Sequence, residues 1–214
     1  MDSITAGNRL ARLGGAALAI GGAGGVVVAL LLQLINADTP PYGSAAIAAR
    51  GAAAVLAMVV VLGLPALAVR LAAGSFRLAT AGLVLTMIPL LTYGVYKGLA
   101  VATLYPLIHS DPWLSRDFTP AIAVLLIGGL AHLFAGATMG AAAFRAGTVS
   151  RLCAGLLVLS SVLFLGSFSP IEWFDAASDA ALMAGLCVAG LEMLGIGARN
   201  PNSQPAAADR KVTV

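Results

Sequence analysis

Charge is scarce in this 214-residue sequence: Asp, Glu, Lys and Arg together make up 10% of it, against roughly 25% in soluble domains. Twelve basic and nine acidic side chains cannot cover the surface of a water-soluble globule of this size. Only two cysteines are present, which excludes a small secreted domain stapled by disulfides. His-Glu-x-x-His, Gly-x-Ser-x-Gly, Cys-x-x-Cys and a phosphate-cradling Gly-rich loop with lysine are all missing. No enzyme chemistry is therefore assigned, and no cofactor or metal is expected. The net charge of +3 is too small, and too scattered, to mark a nucleic-acid-binding face.

What is present is apolar. Hydrophobic residues make up 60% of the chain, and the mean hydropathy is +0.97, which also excludes a disordered chain. A bilayer core of roughly 30 Å takes about 20 helical residues to cross, and stretches of that kind recur between short polar breaks. Six are counted: about Leu13 to Ile35, Ala45 to Val69, Arg77 to about Ile108, Asp117 to Arg145, Arg151 to about Ser169, and about Ala180 to Ala198. The alternation of a membrane β-barrel is absent. The expected fold is therefore an all-α polytopic transmembrane bundle of six spans. It has an N-terminal segment over 1–12, a membrane domain over 13–198 and a Pro-containing polar tail over 199–214. The third stretch is some 46 Å long if wholly helical, so it has to tilt, kink at Pro89 or leave the bilayer. The first exceeds the usual 7 to 15 residue core of a signal peptide, and Ile35 is not the small residue that a cut after Ala37 would need. It is read as a retained helix.

Lys and Arg in short loops stay on the cytoplasmic side. With both termini inside, Arg9, Arg12, Arg70, Arg77, Arg145, Arg151, Arg199, Arg210 and Lys211 lie inside and only Arg50 and Arg116 outside. Most acids then fall outside, together with Trp113 and Trp173, whose amphipathic rings suit the headgroup layer. Two inner loops read alike: Arg70 and Arg77 lead into Leu78-Ala79-Thr80-Ala81, and Arg145 and Arg151 into Leu152-Cys153-Ala154-Gly155. The offset fits either a parallel hairpin repeat or the independent action of the topology rule.

Small residues let membrane helices approach closely. Gly21 and Gly25, then Gly128, Gly136 and Gly140, then Gly185 are expected to pack helices, within the bundle or between copies of it. Ionisable groups in the hydrocarbon carry a cost and raise a functional hypothesis. Glu192 is expected roughly 10 Å below the inner boundary, near the level of Thr86, Thr138, Ser160 and Ser161, and His132 near mid-bilayer. These six form the candidate intramembrane polar site. Lys97 is expected at the outer margin beside Tyr93, one turn earlier. His109 and the acids Glu172, Asp175 and Asp179 are expected in solvated outer loops. Cys153 and Cys187, roughly 18 Å apart by span position, are expected unbridged.

The segments Gly63-Leu64-Pro65-Ala66-Leu67-Ala68-Val69-Arg70 into Arg77-Leu78, and Phe144-Arg145-Ala146-Gly147 to Arg151-Leu152, resemble small, Ala- and Gly-rich multi-pass bacterial membrane proteins without an assigned activity. The resemblance implies a compact helical bundle in a bacterial inner membrane and brings no functional residues. Two functional readings follow. The first is a structural or accessory bundle acting through lipids, a membrane-protein partner or its own copies. The second is a small-solute or proton-coupled transporter using Glu192 and His132.

Overall fold

The computed structural model describes residues 2–38, 43–99, 119–169, 171 and 173–196, and among these there are helices and turns but no strand. The six helices are α1 (Asp2–Asp38), α2 (Ser44–Leu71), α3 (Phe76–Pro89, continued by a π-helical segment over Leu90–Lys97), α4 (Thr119–Ala146), α5 (Arg151–Gly166) and α6 (Trp173–Met193). Five contain stretches long and apolar enough to cross a membrane: Asn8–Ile35, Ser44–Leu71, Phe76–Lys97, Ala123–Ala146 and Trp173–Met193. The expected fifth span is shorter. At 16 residues α5 reaches about 24 Å before the turn at Ser167–Ser169, less than a full bilayer core. The outer end of the third stretch near Ile108, His109, Trp113, and the tail over 199–214 lie outside the described residues.

Large apolar side chains point outward all around the bundle. Leu62 and Val69 are both 77% exposed, and Leu126, Leu130 and Leu152 also face away from the protein. A water-soluble protein does not present such a surface, whereas lipid accepts it. The chain is membrane-embedded.

Helix boundaries follow local chemistry. Ser75 and Ser150, both in extended backbone, cap α3 and α5 by accepting from the N–H groups of Leu78 and Cys153. Gly147 ends α4 with φ +61°, a conformation that favours glycine over residues bearing a Cβ. α1 begins at Asp2 and has no proline to interrupt it. The caps also bear on the repeat: Ser75 and Ser150 are 75 positions apart, whereas Leu78 and Leu152 are 74 apart, so the two hairpins differ by one residue at the turn.

Successive helices pack side by side, and α1 also packs against α6, which closes a ring. Glycine contacts explain why α1 fits between two neighbours. Gly21 lies against Val60 and the Leu56 carbonyl of α2, while Gly25 lies against Met183 of α6. These two glycines thus serve different interfaces. Gly128 admits Thr92 and Tyr93 of α3, Gly136 and Gly140 admit α5, and Gly185 admits Leu157. All six expected packing glycines make contacts inside the bundle. Its core includes Leu18, Leu64, Leu67, Leu71, Met139, Leu157 and Leu186, all fully buried.

One end of the ring is latched by Arg70. Its Nε and Nη2 donate to the Thr148 carbonyl at 3.1 and 2.7 Å, and its Nη1 donates to the Glu192 carbonyl at 3.4 Å. The Glu192 carboxylate in turn accepts from the Ser150 N–H at 2.9 Å, where the positive end of the α5 dipole favours an anion. Three polypeptide segments meet there: the end of α2, the α4–α5 turn and the end of α6. Arg70→Ala is expected to lower stability by about 2 kcal/mol, within the range for charge-assisted hydrogen bonds. Denaturant unfolding of the purified bundle measures it, and a loss below about 0.5 kcal/mol would show the latch to be idle.

Candidate functional site: a charged cavity at the Lys97 end

At the opposite end of the ring the described residues surround a cavity. Three connected lobes of about 150, 550 and 250 Å³ all have Lys97 and Asp179 in their walls. The first, about 150 Å³, is lined by Arg50, Tyr93, Lys97, His132 and Asp179 together with the apolar Leu90 and Leu182. The mouth, about 550 Å³, adds Gln33, Ser167, Ser169 and Asp175. The third lobe runs to Phe164.

Each wall has a local cause. Pro89 lacks an N–H, so the Leu85 carbonyl one turn back loses its helical donor and the next turns widen into the π-helix. Thr92 Oγ1 supports this stretch by donating to the Ile88 carbonyl at 2.9 Å. Tyr93 is pinned to α4 through its hydroxyl, which donates to the Leu125 carbonyl at 3.0 Å. The Lys97 ammonium rests 5.5 Å from the centroid of that same ring, a cation–π contact. Arg50 enters from the second turn of α2, and its buried Nε has no hydrogen-bond partner. Asp175 and Asp179, at i and i+4 on α6, share one helical face. Among the described residues no ion pair joins Arg50 or Lys97 to either carboxylate. The acid's close ionisable neighbour is His132, with Nδ1 and Asp179 Oδ1 4.0 Å apart.

His132 is 3% exposed and stacks on Phe164 at 4.6 Å between ring centroids. Its Nε2 lies 2.9 Å from Ser178 Oγ, and that hydroxyl donates to the Ser160 carbonyl at 2.8 Å. Proton counting fixes the tautomer. A carbonyl only accepts, so the single Ser178 proton goes to Ser160, and the hydroxyl oxygen must accept from His132 Nε2–H. In neutral His132 the lone pair is then on Nδ1, the nitrogen facing Asp179. One added proton makes an imidazolium opposite a carboxylate, at the wall of a cavity.

The six residues expected to form one polar site are divided. His132 and Ser160 belong to this chain of hydrogen bonds. Ser161 accepts from the Ala137 N–H and fastens α5 to α4, and Thr138 donates back to the Phe134 and Ala135 carbonyls of its own helix. Thr86 is fully buried and its hydroxyl has no partner. Glu192 sits at the Arg70 end, bonded to the Ser150 N–H rather than to any of the hydroxyls expected near it. The residues that sequence reasoning missed are Arg50, Ser178, Asp175 and Asp179. The three on α6 fell outside the expected sixth span, which began near Ala180, because their polarity reads as loop. Their signal was the 175, 179, 182 spacing of one helical face. Among the described residues no group of three or more His, Cys, Asp or Glu is arranged to hold a metal ion, and both cysteines are free. No family model, curated protein or solved structure matches this chain, so the reading of the cavity rests on its own chemistry.

Proposed function

We propose that this chain is a small-solute transporter of the membrane, with the Lys97-end cavity as its binding site and His132 as its proton site. One observation carries the reading: a cavity lined by both signs of charge reaches a buried histidine inside a membrane-embedded bundle. An ionisable side chain buried within a membrane bundle raises a functional hypothesis, and here it adjoins charges of both signs. The positive-inside pattern supports a cytoplasmic Arg70 end and a cavity that faces outward. With the resemblance to multi-pass bacterial proteins, this favours a bacterial inner membrane as its site.

Beyond Ala57 of the cavity wall, α2 continues through the buried Leu64, Leu67 and Leu71 to the Arg70 latch. The path is thus shut on that side, and release of solute inward requires the Arg70, Thr148 and Glu192 contacts to part. Uptake into vesicles reconstituted with the full chain tests this, using a panel of small anions, cations and zwitterions. Movement above empty vesicles supports transport, whereas permeation of none leaves the accessory role.

Water access gives a second check. With Cys153 and Cys187 replaced by alanine, Ala53→Cys in the cavity wall is expected to react with a charged, membrane-impermeant thiol reagent in vesicles of both orientations mixed. Leu62→Cys, on the lipid-facing surface, is expected not to react. Equal protection of both positions would mean that the cavity is dry.

A further inference from the structure

Around the closed ring, α3 stands opposite α6, with α2 beside α3. The cavity therefore has a cationic wall, Arg50 with Lys97, facing an anionic wall, Asp175 with Asp179. The walls do not neutralise each other by contact: Lys97 is held against Tyr93 on its own helix, and Arg50 Nε has no partner. With His132 neutral, these four side chains sum to zero charge. We infer that the cavity selects a small zwitterion, whose anionic group meets Arg50 and Lys97 and whose cationic group meets Asp175 and Asp179.

Charge matching governs a cavity from which a bound ligand displaces water. A simple anion satisfies the basic wall but strips water from two carboxylates without giving them a partner, and a simple cation does the converse. Only a ligand carrying both charges satisfies both walls, so discrimination against singly charged solutes comes from the groups they leave unpaired. Uncharged mouth residues, Gln33, Ser167 and Ser169, supply further hydrogen bonds without altering this balance. Two sources offer the chemistry, a free amino acid and a zwitterionic phospholipid headgroup.

This inference rests on the cavity being the solute site of the proposed transporter, and binding is measured apart from flux so that the two can fail separately. The full chain in lipid nanodiscs is titrated calorimetrically with β-alanine, propionate and propylammonium, which share a three-carbon frame, and with glycerophosphoethanolamine as the headgroup probe. β-Alanine or glycerophosphoethanolamine is expected to bind at least about tenfold more tightly than either singly charged probe, a difference of about 1.4 kcal/mol. The tighter of the two identifies the source. Arg50→Gln is expected to move the preference toward propylammonium, and Asp179→Asn toward propionate. Lys97→Gln and Asp175→Asn serve as the second member of each wall should a first variant fail to fold. Singly charged probes binding as well as the zwitterions, none of the four binding, or an unchanged ranking in folded variants would overturn the inference. Zwitterion binding without vesicle uptake would overturn transport and leave the ligand class standing. Uptake restricted to a singly charged solute would do the reverse.

Discussion

Gly136→Leu is expected to cost about 3 kcal/mol of stability, the upper part of the range for overpacking a close helix contact. A Cβ on residue 136 would meet the Leu157 carbonyl and the hydroxyls of Ser160 and Ser161, so the obstruction is partly backbone and cannot swing aside. Separating α4 from α5 also breaks the Ala137 N–H to Ser161 bond and pulls Ser160 away from Ser178. Gly155→Leu is the matched control. It adds the same side chain to a glycine whose Cβ position has nothing within 4 Å, and it should change stability by no more than about 0.5 kcal/mol. Denaturant titration of the two variants side by side decides the point. Similar losses would mean that bulk in the membrane domain, rather than this interface, sets the penalty.

His132→Gln is expected to reduce the pH dependence of solute binding while leaving binding itself intact. In the wild type, a proton on Nδ1 creates a cation facing Asp179, the carboxylate that a ligand's cationic end requires. Proton and ligand therefore compete. Affinity is expected to be highest at pH values where His132 is neutral and Asp179 ionised, and to fall on acidification as either takes up a proton. Other titratable or charged groups facing this site are Asp175 on α6, Tyr93 and Lys97 on α3, and Arg50 on α2. Glutamine can still donate to Ser178 but has nothing to titrate, so the slope that remains is expected to be that of the acids alone. A variant that keeps the full acid loss would assign the effect to Asp175 or Asp179 instead.

The helices were legible because the bilayer demands long apolar runs, and these stand out against any background. The ends were less so. Local polarity sets an apparent boundary wherever it interrupts hydrophobicity, yet α6 begins at Trp173 because Asp175, Ser178 and Asp179 face a cavity and a neighbouring helix instead of lipid. Lys97 rests on Tyr93, the neighbour one turn earlier, but its meeting with Arg50 across from the two acids was not legible, because only the ring brings these groups together. Glu192 shows the converse error. Its position along α6 suggested depth, but the α4–α5 turn comes up to meet it with an N–H group. Depth counted along one helix carries no information about what the other five place beside it.

The closed ring has a consequence for biogenesis. α1 carries two adjacent glycine seams, one with Gly14 and Gly21 against α2 and one with Gly15 and Gly22 against α6. The first seam can close as soon as the second helix leaves the ribosome, but its companion must wait until nearly the whole chain has been made. A nascent protein halted after Gly166 would therefore keep a bare, glycine-lined groove along its first helix. Any quality-control factor that patrols the membrane for unfinished proteins would find that groove on every intermediate, and lose it only when the last helix docks.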